Sequence, residues 1–279
     1  MVKIIAETLS CIPPEVADKY GVPLIPQIIN FGNDSYREGV DIDIPTFITR
    51  LKSAPEPPKT AAPPPGAYTD LFDKMLPDGE PILCICPTAE LSGTVASATA
   101  AVKEYPEADI RVIDTRLIGS PLGTLVLQAA KLAAAGQSAD EIEQHIMEMV
   151  HCGKVYFMVD TLEYLARGGR IGGASALLGS MLQMKPILTL VDGRTEPFEK
   201  TRTHKRAVAR LKELVMEQYP HGKEGYLTVM NADVEAEAAE IAADLKEMLG
   251  LEKDVPVTNV PPAIITHGGP GILAVAFFV

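Results

Sequence analysis

Short apolar runs alternate with amphipathic segments through the first half of the chain. Apolar runs bounded by turn residues predict buried strands, and apolar positions three and four apart predict helices that pack on them. Strands are predicted over Val2–Ala6, Pro81–Cys86, Ile110–Asp114 and Val155–Val159. Helices are predicted from Pro13 to Gly21, from Ser92-Gly93-Thr94 to about Tyr105, from Ile118 to Ala135 and from Ser138 to His151. This alternation predicts an α/β fold with parallel strands.

The segment between the first two of these strands has a different pattern. Val22–Phe31 is apolar but contains two prolines, and the turn residues Gly32-Asn33-Asp34 separate it from Tyr36–Ile42. We expect a β-hairpin whose first arm is an edge strand, because proline cannot donate to a sheet ladder. Asp43 is placed to cap a helix over Ile44–Ser53.

A proline-rich stretch follows this helix. Six of the eleven residues from Pro55 to Pro65 are proline, which is too stiff for a flexible linker and too apolar for a disordered tail. We therefore expect the stretch to lie against the protein surface and to hold Thr60 in place. Taken alone, Thr60 would be interpreted as an ordinary loop residue.

The second half of the chain continues the α/β pattern. Strands are predicted over Ile187–Val191, Arg194–Phe198, Tyr226–Met230, Val257–Val260 and Ile272–Val279, and helices are predicted up to Gln218 and over Asp233–Leu249. Asp192-Gly193 is a strong signal for a two-residue hairpin turn, and the apolar closing strand should be central in its sheet. We place the domain boundary so that the domains are 1–158 and 159–279.

The stretch from Thr161 to Pro186 joins two apolar helical segments through Gly168-Gly169, and Arg170 stands at the break. A lone charge is costly to bury, so Arg170 should face a cleft, an anion or another protein. The alternative is that the glycines only end a helix and Arg170 is solvated.

Composition and charge reduce the number of possible functions. The chain has 279 residues, 47% of them hydrophobic, and a net charge of −12. That charge argues against a broad nucleic-acid surface. The N-terminal apolar run stops at Glu7, which fits neither a signal peptide nor a membrane span. We expect a cytoplasmic protein with at most transient membrane contact.

The cysteines and histidines do not have the spacing of a metal site. Cys84 and Cys86 lie within one predicted strand and point to one side, which favours buried thiols over zinc ligands. The five histidines form no ligand pair four residues apart. We predict no metal and no cofactor.

Three other features are candidates for binding. Ser92-Gly93-Thr94 lies at a predicted helix N-terminus, which suits an anionic oxygen, although Ser92 could be a plain N-cap. His267 precedes three glycines and a proline, which suggests backbone held close to another group. Basic residues gather before the helix that ends at Gln218, forming either a docking face or a solvated helix face. They are Lys200, Arg202, His204, Lys205, Arg206 and Arg210.

Taken together, these motifs resemble the DegV family, the fatty-acid-binding proteins that serve bacterial fatty acid kinase. The resemblance spans nearly the whole chain. It rests on Tyr36–Ile42, Leu91-Ser92-Gly93-Thr94, Asp114-Thr115, Leu162–Leu165, Gly168–Ile171, Lys185-Pro186, Asp192-Gly193, Arg202 and His267–Gly271.

This resemblance implies a two-domain DegV-like α/β fold. The N-terminal domain would have a parallel sheet and a β-hairpin excursion, the C-terminal domain a mixed sheet, and an acyl tunnel would run between them. Leu177, Leu178, Met181, Leu182 and Met184 are candidates for the tunnel wall, although such a stripe is also typical of plain core.

The family pattern also implies roles for individual residues. Thr60, Ser92 and His267 fall on the positions that hold the fatty-acid carboxylate, with Gly93, Thr94 and Gly269 as supporting loop residues. Arg170 and Arg202 fall at the tunnel mouth or the partner-facing side. The implied protein is not itself an enzyme: it binds a long-chain fatty acid and presents the carboxylate to a separate kinase that makes acyl phosphate.

Two segments depart from the family pattern. The first turn is Glu7-Thr8-Leu9-Ser10 where the family usually has Asp-Ser-Thr, and Thr60-Ala61-Ala62-Pro63 stands in place of Thr-Ser-Gln-Pro. Both departures concern groups around the expected carboxylate site and bear on the hand-off to a kinase.

Two other functions remain open on the residues alone. Ser92 with His267 as base could form an acyl hydrolase, but Glu90–Thr94 lacks the Gly-x-Ser-x-Gly elbow. The Ser92 helix start could instead bind a phosphorylated small molecule, although the lysine, arginine and glycine-rich loop typical of phosphate sites are not found near Ser92.

Overall fold

The computed structural model describes residues 1–180, 184–220, 222 and 224–279. The chain divides into two compact units, Met1–His151 and Cys152–Val279. The predicted α/β class is confirmed: the first unit has a parallel sheet and the second a mixed one.

The parallel sheet of the first unit has the order β2-β1-β6-β7. Its strands are β1 (Lys3–Glu7), β2 (Leu24–Ile25), β6 (Ile82–Cys86) and β7 (Ile110–Asp114). The helices of the unit are α1 (Pro14–Tyr20), α2 (Ile44–Ser53), α3 (Pro65–Met75), α4 (Thr94–Val102), α5 (Ser120–Ala134) and α6 (Ala139–Cys152). Thr8–Ser10 and Leu76–Asp78 form short 3-10 helices.

One face of this sheet packs against α3 and α4. Ile5, Ile82 and Cys84 meet Tyr68 and Phe72 in one buried cluster. Cys84 and Cys86 are buried free thiols, as predicted. Burial raises the pKa of the Cys84 thiol to about 12, so it is an unreactive core residue.

The hairpin excursion is present, but its first arm is not an edge strand. β3 (Ile28–Phe31) lies between β4 (Asp34–Arg37) and β5 (Lys59–Ala61) in a separate antiparallel sheet. Both prolines of the segment precede β3, so every residue of β3 keeps its N–H. The proline-flanked residues form β2, which is an edge strand of the parallel sheet.

The local signals at helix ends are confirmed. The Asp43 carboxylate accepts a hydrogen bond from the Thr46 N–H at 2.8 Å at the start of α2. Ser138 and Glu141 form a capping box before α6, with the Ser138 N–H donating to Glu141 Oε2 at 2.8 Å and the Glu141 N–H to Ser138 Oγ at 3.3 Å.

The second unit contains a mixed sheet of order β10-β9-β8-β13-β11-β12. Its strands are β8 (Gly153–Met158), β9 (Lys185–Val191), β10 (Arg194–Thr201), β11 (Thr228–Asn231), β12 (Val257–Asn259) and β13 (Leu273–Phe278). Its helices are α7 (Glu163–Arg167), α8 (His204–Gln218), α9 (Glu235–Leu249) and α10 (Pro262–Gly268), with a 3-10 helix over Gly172–Ser180. The predicted division after residue 158 falls at the end of β8, which pairs with β9 and β13.

Two predicted features of this sheet are confirmed. β13 is central, between β8 and β11, and all six of its residues are buried. β9 and β10 form the predicted hairpin, and Asp192 and Gly193 have φ angles of 48° and 82°. Two positive φ values are what a type I′ turn requires.

Candidate functional site

The candidate carboxylate site of the first unit lies at the carboxyl ends of its parallel strands. β1 ends at Glu7, β6 at Cys86 and β7 at Asp114. Thr115, after β7, donates from Oγ1 to the Cys86 carbonyl at 2.9 Å. In open parallel sheets this edge carries the ligand-binding loops.

The loop after β6 positions Ser92 at the start of α4. The Thr88 carbonyl accepts hydrogen bonds from the N–H groups of Leu91 and Ser92 at 3.2 and 3.1 Å, which closes a tight turn. Gly93 is the N-cap residue. Ser92 Oγ accepts from the Thr94 N–H at 3.3 Å and lies 2.8 Å from Thr94 Oγ1. Ser92 therefore satisfies one helix-start N–H from the position before the N-cap.

Thr60 lies in β5, opposite Ile29 of β3, and not in an ordinary loop. The segment after Thr60 packs against the Ser92 loop: a Cβ built on Gly93 would lie 3.5 Å from the Cβ of Ala62. The Ser97 hydroxyl donates to the Pro63 carbonyl. The structure thus brings the Thr60–Pro63 segment and the Ser92–Thr94 loop together within the first unit.

Glu7 of the first turn and Gln27 join this site; sequence reasoning assigned Glu7 no specific role and did not point to Gln27. Glu7 Oε2 accepts from the Leu9 N–H at 3.1 Å and from Gln27 Nε2 at 2.6 Å. Gln27 Nε2 also donates to Thr94 Oγ1 at 3.0 Å. A glutamate directly after Ile4-Ile5-Ala6, at the end of a buried strand, is the signal that could have identified Glu7.

Glu7 is buried, with 1% of its surface exposed. Burial raises the pKa of its carboxyl group to about 8; the hydrogen bonds from Leu9 and Gln27 oppose this, and the charge of Glu38 adds to it. The neutral acid therefore predominates near pH 7. Both N–H donors point at Oε2, whereas Oε1 has no hydrogen-bond partner among the described residues.

The first turn, which departs from the family pattern, is held by hydrogen bonds of Thr8 and Ser10. Thr8 Oγ1 donates to Glu38 Oε1 and accepts from the Gln27 N–H at 3.1 Å. Ser10 Oγ donates to the Glu7 carbonyl at 2.7 Å. The departure thus preserves an ordered turn at the end of β1.

In the second unit, His267 and Arg170 lie together. His267 is in α10, and its ring packs on Gly168: a Cβ on that glycine would meet His267 Nδ1 at 2.1 Å. Arg170 Nη1 donates to the Gly168 carbonyl at 2.7 Å. Burial, and then the charge of Arg170, lower the pKa of His267 to about 4, so the imidazole is neutral near pH 7.

The glycines after His267 are in close contact with side chains, as the sequence suggested. Gly269 (φ 79°) packs on the Tyr164 ring, and Gly271 (φ 84°) packs on the Asp160 carboxylate. A Cβ would meet these groups at 2.5 and 2.3 Å, respectively. Both positions therefore require glycine for conformation and for space.

The basic residues before α8 differ in their surroundings. Arg210 contacts Glu199, Glu213 and Glu217, and His204 contacts Glu237. Arg202, in the turn between β10 and α8, has an exposed side chain, as have Lys200, Lys205 and Arg206. Acidic neighbours thus offset part of the cluster, and Arg202 belongs to the exposed part.

The candidates for an acyl-tunnel wall are placed only in part. Leu177 is buried, Leu178 is 45% exposed, and Met184 is half-buried. Met181 and Leu182 lie outside the described residues.

The described residues contain no group of three or more histidine, cysteine, aspartate or glutamate side chains arranged to hold a metal ion. Within the same residues, no helix combines the length and the apolar character needed to span a bilayer.

Comparison with known proteins gives consistent matches over the whole chain. The family model "Uncharacterised protein, DegV family" matches residues 1–279. A DegV domain-containing protein of Streptomyces coelicolor is 34% identical over 275 residues, which cover 98% of this chain and 97% of that protein.

Two solved structures are similar in fold and sequence. The crystal structure of DegV, a fatty acid binding protein from Bacillus subtilis, has a TM-score of 0.91 and 32% identity, covering 100% of this chain and 99% of that one. A fatty-acid-binding DegV family protein from Thermus thermophilus has a TM-score of 0.90 and 27% identity, again covering 100% and 99%. With the family match across every residue, these findings show that the chain belongs to the DegV family.

Proposed function

We propose that the protein binds a long-chain fatty acid and presents its carboxylate to a separate kinase, which forms the acyl phosphate. Thr60 and Ser92 hold the carboxylate, with Gly93, Thr94 and Gly269 as supporting residues. The observation that carries the proposal is the packing of the Thr60–Pro63 segment against the Ser92 loop at a helix start. Relatives of the same fold bind fatty acids.

The energetics favour such a ligand. At about 0.8 kcal/mol per buried methylene, an acyl chain of ~14 methylenes gains on the order of 11 kcal/mol in a dry tunnel. Desolvating the carboxylate costs several kcal/mol unless charge-assisted hydrogen bonds offset it. Two hydroxyls and the N–H groups of a helix start are donors of the required kind.

Binding is tested by titrating the delipidated protein with palmitate and by native mass spectrometry of gently purified protein. We expect a bound mass equal to that of a fatty acid, and a loss of palmitate affinity of roughly tenfold in each of Thr60→Ala and Ser92→Ala. Ser53→Ala removes an exposed hydroxyl of α2 and is the matched control. Recovery of empty wild-type protein that does not take up palmitate would contradict the proposal.

The hand-off to a kinase is a separate step with its own test. The kinase transfers the γ-phosphoryl group of ATP to a carboxylate oxygen and releases ADP. With a bacterial fatty acid kinase and ATP, we expect acyl phosphate from the wild type and less from Arg170→Ala at unchanged palmitate affinity. Arg167→Ala, on the same turn, is the control. Equal acyl phosphate formation by both variants would remove Arg170 from the partner-facing role.

The roles of Arg202 and His267 stay predictions, and similar experiments test them. Arg202→Ala should lower acyl phosphate formation without changing palmitate affinity. His267→Ala should weaken palmitate binding, as an assisting donor would.

The two rival functions have distinct readouts. A hydrolase would release a burst of product from an activated ester, and Ser92→Ala would abolish it. A phosphate-binding protein would exchange palmitate for a sugar phosphate in competition. We expect neither result.

A further inference from the structure

A chain of hydrogen bonds runs from the end of β1 to Ser92, and all but its last link are buried. It begins at the Leu9 N–H, passes through Glu7 Oε2 and Gln27 Nε2, and reaches Thr94 Oγ1 and Ser92 Oγ. Glu7, Gln27 and Thr94 are each at most 2% exposed. Water therefore does not compete for these groups, and each one fixes the hydrogen-bond direction of the next.

The direction of the chain follows from its first member. A backbone N–H can only donate, so Glu7 Oε2, which receives the Leu9 N–H, is an acceptor oxygen. An acceptor at 2.6 Å requires Gln27 to present its NH₂ group and not its carbonyl oxygen. The second hydrogen of that NH₂ is then directed at Thr94 Oγ1, 3.0 Å away.

The Thr94 hydroxyl decides the role of Ser92. Thr94 Oγ1 accepts from Gln27 and has its own proton to donate, and Ser92 Oγ, 2.8 Å away, is the acceptor available to that proton. Ser92 Oγ also accepts the Thr94 N–H. Both lone pairs of Ser92 are thereby occupied, and its hydroxyl proton is left for an acceptor outside the chain.

We infer that Glu7 and Gln27 are positioning residues that, through Thr94, hold the Ser92 hydroxyl as a hydrogen-bond donor to an anionic head group. This inference rests on the proposed function, and it explains why the site would prefer a carboxylate. If Gln27 presented its carbonyl oxygen, Thr94 would donate to Gln27 and Ser92 to Thr94. Ser92 would then offer lone pairs to the ligand, which repel a carboxylate.

A double-mutant cycle tests this hydrogen-bond relay, by which we mean the chain from Glu7 through Gln27 and Thr94 to Ser92. We measure the affinity for palmitate and for methyl palmitate, which has the same chain without the charge. Gln27→Leu should weaken palmitate binding roughly tenfold and leave methyl palmitate binding within about twofold. In the Ser92→Ala background, Gln27→Leu should have no further effect, because it acts only through Ser92. An equal loss in both backgrounds would overturn the inference.

Conservative variants distinguish an effect of the donor–acceptor direction of the hydrogen bonds from a general loss of structure. Glu7→Gln can still present an acceptor oxygen to Leu9 and Gln27, and Thr94→Ser keeps the hydroxyl, so both should retain palmitate affinity. Glu7→Leu and Thr94→Val break the chain and should reproduce the loss. Unchanged palmitate affinity in Glu7→Leu would contradict the role of Glu7.

A measurement on the ligand-free protein keeps the relay testable if the wild type binds no fatty acid. The side-chain amide protons of Gln27 should exchange slowly with solvent in NMR spectra of the wild type and of Glu7→Gln, and quickly in Glu7→Leu. Slow exchange without palmitate binding would contradict the proposed function alone. Fast exchange in the wild type would overturn the relay, whatever the protein binds.

Discussion

At the scale of single residues, the most unusual group is the buried Glu7. Burial outweighs the two N–H donors at Oε2, and its pKa rises to about 8. The titratable groups coupled to it lie on several elements: Glu38 in the excursion, Cys11 after the first turn, Tyr68 on α3 and Cys86 on β6. None of these supplies a positive charge, so the neutral acid is the form that the fold favours.

Because Glu7 is protonated in the folded protein, the free energy of unfolding depends on pH. Between the ordinary pKa of 4.5 and about 8, the unfolded chain has released the Glu7 proton and the folded chain retains it. Unfolding is therefore favoured as pH rises, with a slope of at most about 1.4 kcal/mol per pH unit. We expect the stability of Glu7→Gln relative to the wild type to increase from pH 5 to pH 8 in urea unfolding.

The matched control for this titration is Glu15→Gln, which changes an exposed glutamate at the start of α1. Its stability relative to the wild type should vary little over the same range. A constant difference between Glu7→Gln and the wild type would show that Glu7 is ionised throughout.

His267 is held neutral by burial first and by Arg170 second. We expect Arg170→Gln to raise the pKa of His267 above about 4 but to leave it below the ordinary 6.5, because the burial remains. NMR titration of the imidazole measures this, with Arg167→Gln as control. A pKa that reached 6.5 in Arg170→Gln would make the arginine, and not burial, the main cause.

At the scale of elements, the close contact of α5 with the first turn depends on one glycine. A Cβ on Gly123 would lie 2.4 Å from the Ser10 carbonyl oxygen, so the backbone would have to move. We expect Gly123→Ala to destabilise the protein by about 1–3 kcal/mol in urea unfolding.

Gly66 provides the comparison for this substitution. It lies in α3 with open space around its Cβ position and without a positive φ. Gly66→Ala should stabilise the protein by about 0.4–1 kcal/mol, because alanine lowers the conformational entropy of the unfolded chain. Equal effects at the two positions would contradict the packing described for α5.

Elements with local signals could be predicted from the sequence. Asp43 before α2 and Asp192-Gly193 between β9 and β10 fix backbone geometry through neighbouring residues alone, and both predictions are confirmed. β5 was missed because its three residues are stabilised by pairing with β3, far away in sequence. α3 and α10 were missed because prolines at their starts look like loop signals, although proline fits the first turn of a helix.

The residues of the candidate site differ in the same way: those with a local sequence signal could be predicted, and the others could not. Ser92 could be found because a hydroxyl before a helix start is a local pattern. Gln27 could not, because its importance comes from its hydrogen bonds to Glu7 and Thr94, 20 and 67 residues away. A buried relay of this kind has no periodicity or spacing that a sequence could display.

At the scale of the whole molecule, each unit has its own core. The parallel sheet was predictable from the alternation of strands and helices, whereas the mixed sheet was implied by the family resemblance. The membership of the DegV family covers every residue of the chain. The binding roles proposed for Thr60, Ser92 and His267 extend beyond fold and family.

A crystal structure of the protein with bound palmitate tests the central claim most directly. We predict one palmitate whose carboxylate oxygens lie within about 3.2 Å of Thr60 Oγ1 and Ser92 Oγ. A carboxylate bound elsewhere, with these two hydroxyls facing solvent or protein, would contradict the account.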